Sequence, residues 1–490
     1  MRICFLIAGT LLLTGACNTT EKKEPPDFLA ADLDTAVSPG ADFFDYANGG
    51  WLKRNPIPAD HSSWGIGQMV DLDIYNRLRT INEKAAAEQA APGSTAQKIG
   101  DFWKSGMDSA GIEKQGLTPL EPDLIRIGKI ASVRDLIQVA ADLHRKGVQV
   151  LLADEISQDE KYSDQMAYHL GQGGLGMPDR DYYFNTDEKT VQVRKSYRHY
   201  LFNAFRTLGK DSSEAMKAAE GVYQLETRLA KASRKIAALR DPDSNYHKMG
   251  IGPLQKLCFR IDWKDYLKNT GIASIDSLIV GQPEFLEALN RELFQTPLEV
   301  WKNYLAFHLL NHSAYYLDTQ IYMDRFNYTR AITGVEIPRP RWKRVLDAEQ
   351  DAIGEALGQL FVKEYFPEKA RQRYRDLVES IRNAYKERIR KLTWMSDSTR
   401  QNALYKLSRI TEKVGYPDKW RDFSALRIDQ GPYVLNAQRA AEWWHNDMIK
   451  KLGKPVDRTE WDVTPQTYNA FYNPSNNEIV LPAGIFIVPG

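Results

Sequence analysis

Metal chemistry by this chain would need clustered ligands, and the one pair at ligand spacing is His308 and His312 in His308-Leu309-Leu310-Asn311-His312. Residues four apart share a helix face, so the two imidazoles could meet one ion. Hydrolysis at such a site also calls for a Glu directly after the first His as general base, and Leu309 stands there. No third ligand follows. The pair reads as ordinary helix histidines. His61, His144, His169, His199, His247 and His445 each stand alone, and no His is followed by Glu anywhere in the 490 residues. No catalytic and no metal-ligating residue is assigned. The remaining chemistry is recognition, and it lies at Tyr468-Asn469-Ala470-Phe471-Tyr472-Asn473-Pro474-Ser475-Asn476-Asn477-Glu478-Ile479-Val480-Leu481. Aromatic and β-branched runs flank a cluster of turn formers, which predicts a hairpin. An exposed strand there could pair with an extended peptide, and Asn469 could add a directional amide. From the residues alone, Asn469 reads first as a cap or bridge of the turn.

Those residues must be carried by a large soluble body. A chain of 490 residues is expected to form at least two domains. Sixty-five Lys and Arg against 64 Asp and Glu leave a net charge of +1, which provides no field for nucleic acid, and none is expected as a partner. The mean hydropathy of −0.49 describes a globular protein.

The amino terminus looks like an export signal. Met1-Arg2, the apolar run to Leu13 and Thr14-Gly15-Ala16 lead to Cys17, in the manner of a bacterial lipobox. Cleavage before Cys17 and its lipidation are expected, making a periplasmic or outer-membrane lipoprotein held to the membrane by its anchor. With Cys17 acylated, Cys258 has no disulfide partner. Asn18 to Pro26 has the composition of a tether.

The middle of the chain is mostly helical by pattern. Gly49-Gly50 is expected to end a short helix starting near Phe43, and Pro92-Gly93 to break an Ala-rich stretch. Val133 to Lys146 predicts an amphipathic helix ending at Gly147, and Arg194 to Leu239 a long helix interrupted near Gly209 to Ser212. Thr296-Pro297-Leu298-Glu299 reads as a capping box, and Ser396 as the N-cap of a helix through Leu407. The basic run Arg382 to Arg390 reads as a solvated helix face.

Several stretches resemble the neprilysin-like family of zinc metalloendopeptidases. They are Asp42 to Lys53 with Asn55-Pro56 and Ser62 to Gly65, Gln172 to Tyr183, Arg341 to Leu346, Glu355 to Leu360, Trp394 to Asp397, Val414 to Trp420, and the closing hairpin. The resemblance runs from about Asp42 to Ile485. It implies a mainly α fold, with a large helical lobe plus an incomplete α+β, thermolysin-like catalytic lobe represented by the terminal β-hairpin. The implied division is 1–16 signal peptide, 17–38 lipidated Cys17 and tether, 39–420 helical domain, 421–467 connecting helical segment, and 468–490 the start of a truncated catalytic domain.

In the family the Asn-Ala-aromatic motif lines the cleft, so Asn469 and Ala470 are implied as substrate-binding residues for peptides. Zinc is the implied cofactor, with its ligands in motifs beyond this segment. The expected function is therefore the amino-terminal part of a zinc metalloendopeptidase, inactive by itself. A non-catalytic surface lipoprotein that uses its helical lobe for peptide binding or assembly is the alternative. Gln68 and Asp71 stand where some relatives carry groups for a substrate's terminal carboxylate, and that preference does not carry over.

Overall fold

The computed structural model describes residues 28–487. The signal sequence, Cys17 and most of the tether lie outside them. Twenty α-helices and seven short strands make up the described residues, which form two compact units meeting in sequence at Pro58 and Ala59.

In the first unit Asp42 accepts the Asp45 N–H at 2.9 Å and starts the helix Phe43–Arg54. This helix runs through Gly49-Gly50 rather than ending there. A Cβ on Gly49 would lie 2.6 Å from the Asp34 Cβ, and one on Gly50 would lie 2.7 Å from the Ala31 carbonyl oxygen. The glycines open a flank for the preceding segment instead of turning the chain, and Lys53 closes on Asp34 at 2.7 Å.

The second unit holds two hydrophobic cores. One is built mainly from residues 120–328, with Trp263, Phe285, Trp301, Tyr304 and Phe307 fully buried. The predicted helix appears as Val133–Arg145, capped by Ser132 and terminated where Gly147 takes φ +83°. The long pattern resolves into Glu188–Thr207 and Ser212–Ala232, the latter opened by a capping box of Asp211 and Glu214. The expected box at Thr296 does not form. Leu298–Ser313 starts after Pro297 with no side-chain cap, because the Thr296 hydroxyl is committed to Glu292 at 2.7 Å and to Arg228 at 3.1 Å.

A four-stranded sheet that the sequence pattern did not disclose joins this core: β1 (Leu152–Gln158), β2 (Met166–Gln172), β3 (His247–Met249) and β4 (Leu278–Val280), in the order β1-β2-β4-β3. Its inner pair, β2 and β4, is parallel. The glycine-rich stretch after β2 is more than a run of turns. Only Gly174, at φ +73°, needs the left-handed region. At Gly176 a Cβ would sit 1.9 Å from the Tyr197 hydroxyl. That hydroxyl donates to the buried carboxylate of Glu226 at 2.6 Å, as Tyr183 does at 2.8 Å.

The second core joins Ile66–Ala87, Thr95–Met107, Arg341–Tyr365 and Tyr433–Ile449. The break at Pro92-Gly93 is present, with Ser94 capping the helix that follows. Helix Tyr433–Ile449 serves both cores, giving Val434 to the first and Tyr433 and Ala440 to the second. Ser396 caps Asp397–Ser408 as expected. Arg382 departs from the solvated reading: it donates to the Leu407 and Ile410 carbonyls and pairs with Glu412 at 3.2 Å, tying the helix Glu368–Arg390 to the following segment.

The closing hairpin forms as β6 (Phe471–Asn473) and β7 (Glu478–Pro482). It does not stand alone, since β5 (Thr411–Gly415) pairs with β7 in parallel and gives the sheet the order β5-β7-β6. A short strand that pairs only with a distant partner leaves little local signal. Among the described residues no helix is long and apolar enough to cross a membrane.

Candidate substrate-binding site

Three glycines aim the segment that carries Asn469 and Ala470. On helix Arg341–Tyr365, which kinks at Ile353, Gly354 and Gly358 form a notch one turn apart. A Cβ on Gly354 would meet Thr464 Cγ2 at 2.8 Å, and one on Gly358 would meet Pro465 Cδ at 2.7 Å. Gln466 fills the notch and donates to the Gly354 carbonyl at 3.0 Å. From the other side Gly484 donates its N–H to the Pro465 carbonyl at 2.8 Å, and a Cβ there would strike the carbonyl oxygens of Gln466 and Thr467 at 2.6 Å. Residues 464–467 are thereby clamped, and the chain leaves the clamp in one direction. Tyr468 passes Gly67 at the start of Ile66–Ala87, with its ring 3.6 Å from where a Cβ would stand.

Asn469 and Ala470 follow, both exposed. They precede β6, whose one ladder partner is β7, so the outer side of β6 is a free edge. The Asn469 carboxamide oxygen accepts the Ala470 N–H at 2.8 Å. The turn itself is held by other residues: Asn473 accepts the Ser475 N–H at 3.0 Å, and Asn477, at φ +50°, donates to the Lys406 carbonyl. The reading of Asn469 as a turn bridge is thus removed. Beneath the edge the sheet is firmly set. Lys413 and Glu478 pair at 2.8 Å with almost no exposure, and Lys413 also donates to the Glu460 carbonyl at 2.6 Å.

The wall beside this clamp was not legible in the sequence. Asp347, Gln350, Asp351, Gly354 and Glu355 share one face of the kinked helix and line a 460 Å³ cavity with Trp444, Trp461, Thr464 and Thr467. A neighbouring 290 Å³ cavity contains Asp60, Gln68, Asp71, Tyr75, Arg339 and Lys343. Its cations are engaged. Arg339 donates to Asp347 at 2.7 Å, and Lys343 lies 3.5 Å from Asp60. Tyr75 donates to the other Asp347 oxygen, and burial together with that carboxylate pushes its hydroxyl up to about 12. Burial also raises Asp71, against the pull of Arg339. Gln68 is turned to the Ser63 hydroxyl at 3.3 Å. The helical spacing 347, 350, 351, 354 was the available signal for this wall, but nothing local says that the face opens on a cavity.

The histidine pair has a different occupation. His308 Nε2 lies 2.9 Å from Glu226, completing the buried cluster with Tyr183 and Tyr197. Burial drives the His312 pKa down to about 4, with Arg325 acting in the same direction. Among the described residues no three His, Cys, Asp or Glu side chains converge as a metal would require. The described residues therefore do not make a zinc site. Cys17 lies outside the described residues.

A model of peptidase family M13 matches residues 39–417. Neprilysin-3 of Drosophila melanogaster and human endothelin-converting enzyme 1 are each 28% identical to the chain across 94% of its length. The chain spans 62% of the length of either relative. The crystal structure of the zinc metalloprotease Zmp1 of Mycobacterium tuberculosis in complex with inhibitor superposes with a TM-score of 0.87 at 34% identity. That match covers 94% of this chain and 70% of the other.

Proposed function

Because this chain belongs to peptidase family M13, we propose that it is the amino-terminal part of a zinc metalloendopeptidase and supplies the wall that holds the peptide substrate. The observation that carries this reading is the free edge of β6, entered through the exposed pair Asn469 and Ala470. An extended peptide laid along such an edge gains main-chain hydrogen bonds that depend little on its sequence. The Asn469 amide, its oxygen already bonded to the Ala470 N–H, keeps its nitrogen exposed as a donor to a substrate carbonyl. The clamp of Gly354, Gly358 and Gly484 fixes the chain that leads into the edge, which limits the orientations a bound peptide has to lose.

In a peptidase of this kind zinc would supply the hydrolytic chemistry. The residues described in this chain bind and orient. We further propose, from the likeness of Met1 to Cys17 to a lipobox, that the protein lies beyond the inner membrane on a lipid at Cys17, and incorporation of labelled fatty acid, lost in Cys17→Ala, tests that part.

Edge pairing is tested by fluorescence anisotropy of a labelled decapeptide and of the same peptide N-methylated at its central amides. Methylation removes donors without changing side chains, so binding should fall about tenfold or more if main-chain bonds supply the affinity. Equal binding of the two peptides would overturn the reading.

A further inference from the structure

A third cavity, of 460 Å³, is built differently from the other two. Tyr315 and Tyr316, just after Leu298–Ser313, and Tyr322 and Phe326 of Thr319–Thr333 face it, with Arg344, Asp347 and Asp351 from helix Arg341–Tyr365. Asp60 and Arg339 line it too, Asp347 being paired with Arg339 and Asp60 with Lys343. Its volume suits a ligand the size of an aromatic amino acid.

Arg344 is the unusual group. Its guanidinium lies 3.8 Å over the Tyr322 ring, and its bond within the protein is from Nε to the Arg339 carbonyl at 3.2 Å. No carboxylate among the described residues comes within 4 Å of it, whereas Arg339 nearby is paired with Asp347. Arg341 is likewise without an ion partner and donates to the Gly106 carbonyl. Two half-buried guanidiniums therefore stand together, and Arg344 holds terminal N–H donors toward an aromatic-walled space. A planar guanidinium with an open fork is matched by a carboxylate, and its stacking on Tyr322 fixes the direction of the fork. Asp351 makes no ion pair with Arg344, and burial, reinforced by Asp347, raises its pKa.

We propose that this cavity is a binding site for an aromatic carboxylate, with the carboxylate on Arg344 and the ring among Tyr315, Tyr316, Tyr322 and Phe326. The inference rests on this cavity alone and is independent of the peptide-edge reading. The chemistry has two sources, the free carboxyl end of a peptide with an aromatic last residue and a small aromatic acid.

Calorimetric titration of the full chain with the tripeptide Ala-Ala-Phe, with 3-phenylpropionate and with Ala-Ala-Phe amide separates them. Binding of the tripeptide assigns the peptide source, and binding of 3-phenylpropionate alone assigns the small acid. The amide should bind at least about tenfold more weakly than the acid, as loss of a charge-assisted bidentate pair requires. Arg344→Gln should cause a similar loss, with partial recovery in Arg344→Lys. Phe326→Ala, which leaves the charge untouched, should weaken both acids and remains informative if Arg344→Gln does not fold. Failure of both acids to bind overturns the proposal, as does equal binding of acid and amide, or an unchanged affinity in a folded Arg344→Gln protein.

Discussion

Around Gly176 a missing Cβ lets Tyr197 close on Glu226 inside the first core, whereas around Gly354, Gly358 and Gly484 missing Cβ atoms let the chain be gripped and sent outward to an open edge. In the first place Tyr183, Tyr197 and His308 all end on Glu226 within the molecule. In the second the grip is equally tight, but the residues it delivers, Asn469 and Ala470, are exposed. Close approach without a side chain thus serves stability in one region and aim in the other. The two should part when each is broken.

The largest effect is expected at Gly176→Ala. The new methyl would meet the Tyr197 hydroxyl at 1.9 Å and its ring carbons from 2.6 Å, and the ring is fully buried. Moving it takes a donor from buried Glu226. Overpacking and the lost charge-assisted bond together should cost about 3–5 kcal/mol, read as a lower urea midpoint. A midpoint within experimental error of the parent would show that the cluster is loosely held.

Acid should weaken the same region. With His312 near 4 in the folded state against an ordinary value of 6.5, the unfolded chain binds the extra proton between those limits. Stability present above pH 6.5 is therefore lost as the pH falls toward 4, by about 3 kcal/mol over the full window. Arg325 is the cation facing His312. Denaturant midpoints across that range should show the slope, and His312→Leu should flatten it.

Gly358→Ala tests the second region. Its methyl would lie 2.7 Å from Pro465 Cδ and 2.9 Å from the Gln466 amide oxygen, an overpacking that should cost about 1–3 kcal/mol. Here peptide affinity should fall further than stability, because a small displacement of residues 464–467 swings the whole edge. If affinity survives while the midpoint drops, the clamp is structural only.

What the sequence disclosed follows the same division. The hairpin was legible because Asn473-Pro474-Ser475-Asn476-Asn477 breaks two β-rich runs, and the Val133–Arg145 helix because its apolar period is complete and Gly147 closes it. Strand β5 was not, since Thr-Glu-Lys-Val-Gly acquires its identity only from parallel pairing with β7, more than 60 residues later. Gly49-Gly50 misled because glycine marks either a chain reversal or a close approach, and the neighbour that decides between them, Asp34, is set by the fold. Thr296 misled because a capping hydroxyl and one bound to Glu292 and Arg228 are spelled alike. Arg344 gave no sign, since a missing counter-ion is a property of three-dimensional neighbours.

The smallest effect belongs to Asn469→Ala, and it is the sharpest division between the regions. Asn469 is exposed, and its side chain's one bond within the protein runs from the adjacent Ala470 N–H, so the folded state should lose no more than about 0.5 kcal/mol. Peptide affinity should nevertheless fall by about 1 kcal/mol, roughly fivefold, if the exposed amide donates to a substrate carbonyl. The cycle with the N-methylated peptide separates two ways this could happen. If Asn469 acts directly on a carbonyl, its loss and methylation of amides elsewhere in the peptide should add. If it acts by holding the Ala470 backbone in the extended shape that β6 continues, both changes spoil the same ladder and the second should cost less than the first. An Asn469→Ala protein that binds both peptides like the parent would leave the edge without its directional contact, and β6 would then be open only in the geometric sense.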